Sequence, residues 1–76
     1  MKSVKVLLNT FEKVRSFVNL ISGYEYRFEF ISESCVVDAK SIMGIFSLNL
    51  TEPLHLNIIA EDDVDHLFDQ LSIYMV

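Results

Sequence analysis

The chain has one cysteine, one proline, two glycines and no tryptophan in 76 residues. Because Cys35 stands alone, no internal disulfide and no cysteine metal cluster can form, and a reducing compartment suits it. Pro53, Gly23 and Gly44 are too few and too far apart to make a linker, so residues 1–76 read as a single domain. Basic residues are scarce as well, six against eleven acids, for a net charge of −5. They are scattered at Lys2, Lys5, Lys13, Arg15, Arg27 and Lys40 and form no stripe, so direct nucleic-acid binding is not expected. Uncharged runs all fall short of the about 20 residues that cross a bilayer, so no membrane role is expected. Val6–Thr10 is too short and ends too polar for a signal-peptide core, which leaves a cytoplasmic location as the expectation.

What is present is apolar and aromatic. Half the residues are hydrophobic, with six Phe and three Tyr, which argues for a folded domain. A chain this short buries only about 60% of its unfolded surface, so the core must be thin. From Lys2 to Leu8, Val4, Val6 and Leu8 alternate with Ser3, Lys5 and Leu7, the period of a half-buried strand. From Phe11 the period changes, and Phe11, Val14, Phe17, Val18 and Ile21 share one helical face up to Gly23. Tyr24, Tyr26, Phe28 and Phe30 then alternate with charged residues, a second strand. Ser32-Glu33-Ser34 is a plausible tight connection to a short return strand at Cys35-Val36-Val37.

The segment DAKSIMGIFSL, residues 38–48, predicts a short helix with Ser41 as N-cap and Ile42, Ile45 and Phe46 or Leu48 as its apolar face. Gly44 weakens this helix, and Asn49 can end it in a left-handed conformation. Pro53 precedes a fourth strand in which Leu54, Leu56, Ile58 and Ala60 alternate with His55, Asn57 and Ile59. Val64, Leu67, Phe68, Leu71 and Met75 give helical spacing behind the acids Glu61, Asp62, Asp63, Asp65 and Asp69, which suit a helix N-terminus. The order βαββαβα predicts an α+β open-faced sandwich: a four-stranded antiparallel sheet covered on one face by three helices.

This order, with DAKSIMGIFSLNL between strands three and four, resembles HPr, the small histidine phosphocarrier of the bacterial phosphoenolpyruvate–sugar phosphotransferase system. Ala39-Lys40-Ser41-Ile42-Met43-Gly44 and Ser47-Leu48 are similar to that family's most specific internal run, with Asn49 in place of its usual glycine. Leu56-Asn57-Ile58-Ile59-Ala60-Glu61 resembles its fourth strand, and Phe17-Val18 and Gly23-Tyr24 fall at family-like distances from Ser41. The resemblance spans nearly the whole chain, although only the central run is specific.

One departure decides the expected chemistry. Family carriers hold a Gly-Leu-His-Xaa-Arg-Pro-Ala run at the start of the first helix, and its histidine carries phosphate. Counted back from Ser41 without gaps, the histidine position is Thr10, the arginine position Glu12 and the proline position Lys13. The alternation of strand one fits a loop a residue or more shorter, so the register of residues 8–13 stays open. In either register the first histidine of the chain is His55. Neutral imidazole is a competent nucleophile near pH 7, whereas a threonine hydroxyl needs an activating base, and Glu12 would repel a phosphate dianion. No catalytic residue, metal or cofactor is therefore expected, and His55 and His66 read as surface bystanders.

The resemblance implies a histidine-lacking relative, similar to the catabolite-repression HPr-like protein, that keeps the regulatory serine. In such relatives HPr kinase/phosphorylase modifies the serine, and the phosphoprotein binds a transcriptional regulator. Ser41 matches that serine, and Lys40, Ile42, Met43 and Phe46 match the partner-binding surface around it. The residues themselves leave two readings of Ser41, inherited helix cap or regulatory phosphorylation, and two of Phe46, surface or thin core. The expectation is a non-enzymatic regulatory or adaptor protein of sugar-transport and carbon-catabolite control, with no prediction of oligomeric state. A diverged carrier using His55 or Thr10, and an unrelated small α+β binding module, are the alternatives.

Overall fold

The computed structural model describes residues 2–32, 35–60 and 64–76. Seven elements follow in the order β1 (Lys2–Val6), α1 (Phe11–Ser22), β2 (Arg27–Ile31), β3 (Val36–Asp38), α2 (Ile42–Phe46), β4 (Leu54–Ile59) and α3 (Asp65–Leu71). The four strands form one sheet in the order β1-β4-β2-β3, and every neighbouring pair is antiparallel. The expected open-faced sandwich is the fold observed.

Topology explains why the helices share a face. With β4 inserted between them, β1 and β2 run parallel; so do β3 and β4, with β2 between. Parallel strands need a crossover, and α1 and α2 supply the two. The crossovers step in opposite directions from strands of opposite sense. The right-handed rule therefore sends both helices to the same side.

Beneath the helices, Val6, Phe28, Phe30, Leu56 and Ile58 point inward from the sheet. Val14, Phe17, Val18 and Ile21 of α1 meet them, with Ile45 of α2 and Leu67 and Leu71 of α3. Phe17 lies at the centre, tilted against Phe30 at 5.6 Å and edge-on to Tyr74 at 5.7 Å. Such aromatic pairs add about 0.5–1.5 kcal/mol beyond their buried area. The opposite face, with Lys5, Arg27, His55 and Ile59, is exposed.

Several boundaries differ from the sequence expectation for identifiable reasons. β1 stops at Val6, yet Leu8 stays buried because the loop that follows continues inward. β2 begins at Arg27, and Tyr24 and Tyr26 precede it as a stacked pair 5.8 Å apart. The return strand is Val36–Asp38, one residue later than expected, and Asp38 ends it by capping the Lys40 amide. Residues 33 and 34 of the expected connection, and Glu61, Asp62 and Asp63 of the acidic group, lie outside the described residues. Asp65 sits in the first turn of α3.

Helix ends need no left-handed residue, since no positive φ occurs among the described residues. Gly23 ends α1 at φ −76°, and α2 ends at Ser47 with φ −78°. Asn49 therefore does not stop the helix; it accepts bonds from the backbone and hydroxyl of Thr51. Met75 lies beyond α3, bridging to Val6, and Tyr74 takes the buried position expected of it.

Gly44 has a steric role. A Cβ built there would lie 2.7 Å from Val37 Cγ1 on β3, closer than real side chains approach. Val37 is β-branched and stiff, so α2 must move to relieve the clash. Gly44→Ala is expected to destabilise the fold by about 1–2 kcal/mol, overpacking outweighing the gain in helix propensity. Urea unfolding followed by circular dichroism measures the change.

Candidate functional site

Two helix starts carry the residues singled out by the sequence. At the first, Thr10 is extended and its hydroxyl accepts a bond from the Lys13 amide at 3.1 Å, capping α1. The Lys13 ammonium turns back to Asn9 Oδ1 at 3.2 Å. Glu12 is exposed in the first turn. The position thus presents a hydroxyl used as a cap and a carboxylate, without an imidazole or a guanidinium.

At the second start, Ser41 is also extended, and its hydroxyl accepts from the Gly44 amide at 3.1 Å. Its backbone is held on both sides, the Ser41 amide donating to Asp38 O and the Ser41 carbonyl accepting from Ile45. A capping hydroxyl of this kind satisfies one of the amides a helix leaves unpaired at its start. Ser41 caps its helix, as the sequence suggested, and it is half-buried.

The four flanking residues divide. Lys40 Nζ donates to Tyr24 O at 2.7 Å and sits 5.5 Å from the centre of the Phe28 ring, tying the α2 start to the β2 approach. Ile42, Met43 and Phe46 face outward with 37%, 82% and 41% of their surface exposed. Ile45 alone of the α2 residues is buried, so the helix keeps one anchor and turns its other large apolar side chains to solvent.

Phe11 was expected on the core face of α1, and here the structure corrects the sequence. It is 58% exposed and stacks on Phe46, with ring centres 5.7 Å apart and planes 8° from parallel. Phe11, at the margin of the apolar arc, meets α2 instead of the core. The signal in the sequence was faint: Phe11 is the first helical residue, directly after the cap. The structure therefore joins the two helix starts through an aromatic pair. Phe11, Phe46, Ile42 and Met43 make an exposed apolar surface on α1 and α2. Exposed apolar patches of this sort mark interaction sites more often than chance, and adaptable Met suits them.

The histidines lie elsewhere. His55 is on the open sheet face, opposite Lys5 on one side and Ile31 on the other. His66 is exposed on α3. Among the described residues no group of three His, Cys, Asp or Glu side chains is placed to hold a metal ion.

The fold is that of HPr. The structure is similar to the crystal structure of HPr-C-His from Thermoanaerobacter tengcongensis, with a TM-score of 0.72 and 24% identity over 95% of this chain and 92% of that one. No protein-family model and no curated protein matches the sequence. Identity at this level establishes a shared architecture; what the chain does has to be argued from its own residues.

Removing the Ser41 hydroxyl separates capping from surface chemistry. Ser41→Ala is expected to cost about 1 kcal/mol of stability, the usual worth of an N-cap. Met43→Ala, at an exposed position, is expected to stay within about 0.5 kcal/mol of the parent. Thermal and urea unfolding of the two variants check both values.

Proposed function

We propose that this chain is a non-enzymatic HPr-like docking protein of bacterial sugar-phosphotransferase or carbon-catabolite control, working in the cytoplasm. The observation that carries this reading is the exposed Phe11–Phe46 pair with Ile42 and Met43, set beside an α1 start that has no histidine. A phosphocarrier needs a nucleophile that takes phosphate and passes it on; Thr10 would form a stable ester, and the Glu12 carboxylate repels the incoming dianion. A docking protein needs an apolar surface at a defined place, and this one has it.

Ser41 is the regulatory position in this reading. Phosphate on its hydroxyl would meet the Gly44 amide that the hydroxyl already faces, and would place a dianion beside Ile42 and Met43. HPr kinase/phosphorylase is the proposed modifying enzyme and a transcriptional regulator the proposed recipient. The partner would read the added charge together with the apolar surface, while the fold itself changes little.

The diverged-carrier reading through His55 or Thr10 is weaker. His55 is on the face of the sheet away from the helices. Phosphate on the Thr10 hydroxyl would be a stable ester, a poor donor for onward transfer.

Intact-mass spectrometry after two incubations tests the proposal. Exposure to HPr kinase and ATP is expected to add about 80 Da (one phosphate) to the parent and nothing to Ser41→Ala, by the serine chemistry above. Exposure to enzyme I and phosphoenolpyruvate is expected to add nothing. Phosphate gained from phosphoenolpyruvate would establish a carrier and overturn the proposal.

A further inference from the structure

Beyond α3 the chain returns along the free edge of β1. The Leu7 amide donates to Tyr74 O at 2.8 Å, and the Val76 amide donates to Lys5 O at 3.1 Å, framing the Val6–Met75 bridge. A third tie reaches α1: the hydroxyls of Tyr74 and Ser16 lie 2.6 Å apart. The segment 74–76 thus holds the chain at the start of the β1–α1 loop, at Lys5 and Leu7, and α1 just past its first turn, at Ser16.

The loop and the first turn of α1 have little other support on this side. An open hollow of about 500 Å³ is lined by Thr10, Glu12, Lys13, Ser16, Ile73 and Tyr74, beside the Ser16–Tyr74 tie. Phe11 contributes little burial, and Asn9 and Thr10 are exposed. Leu8 and Tyr74 are both buried, Tyr74 edge-on to Phe17, so release must lift both from the core and is a minority opening, not permanent fraying. Regions with few buried contacts and exposed hydrogen bonds open below the global unfolding free energy, in contiguous units.

We propose that residues 74–76, the β1–α1 loop and the first turn of α1 open and close as one unit, so that the C-terminal segment acts as a strap setting the position of Phe11. Closed, the strap holds the loop that presents Thr10 and Phe11. Open, it frees that loop and the backbone edge of β1 together. The consequence for partner docking rests on the reading of Phe11 as part of the docking surface; the opening itself does not.

Native-state hydrogen exchange by NMR tests the unit without any partner. Val76→Pro removes the amide that bonds Lys5 O and changes a side chain that is 68% exposed. It is expected to speed exchange of the Leu7, Lys13 and Val14 amides by a common factor of about five, the loss of one hydrogen bond. Amides of the central β2–β4 pairing should keep their rates. Ser16→Ala, which breaks the tie to α1 from an exposed position, is expected to give the same pattern and serves if the proline variant does not fold. Acceleration of Leu7 alone, or of all amides equally, would overturn the proposal.

Discussion

Phe17 is packed between a sheet and a returning chain end, and most of the structure depends on that packing. Its ring meets Phe30 of β2 on one side and Tyr74 on the other. In a chain of 76 residues the helices have only one sheet face to bury against, so α1 must lie over the middle strands. Once Phe17 fixes α1 there, Val14, Val18 and Ile21 fall into the core with it. Tyr74, edge-on to the same ring, draws the end of the chain back against β1.

The thinness of that core shapes the surface. α2 is a crossover of five residues and can bury little; Ile45 is its anchor, with Gly44 allowing close approach to Val37. Its remaining large side chains have nowhere to go but outward, where Phe46 finds Phe11. The apolar surface is thus partly a geometric result of a short helix on a small sheet. What makes it a docking candidate is the exposure of four large apolar side chains together at two helix starts.

Lys40 and Ser41 together hold the start of α2. The Lys40 ammonium braces the α2 start against the Tyr24 carbonyl and the Phe28 ring. The Ser41 hydroxyl closes the first turn through Gly44. A charge added at Ser41 would act on a helix already held from below, which favours a change of surface over a change of fold.

Alternation in Tyr24–Phe30 and Leu54–Ala60, the helical spacing of Val14, Phe17, Val18 and Ile21, and the capping residue Ser41 were legible because each depends on local geometry. The periods of strand and helix and the hydrogen-bonding habit of a hydroxyl are written within a few residues. On that basis the sequence by itself determined the element order, most of the inward residues and the absence of a histidine from the first helix. Only the tertiary structure decided that Phe11 leaves the core to stack on Phe46, that Lys40 reaches Tyr24, and that residues 74–76 close over β1. Those contacts join positions 16 to 71 residues apart, and which of them meet depends on where the sheet edge and the crossovers place them in space.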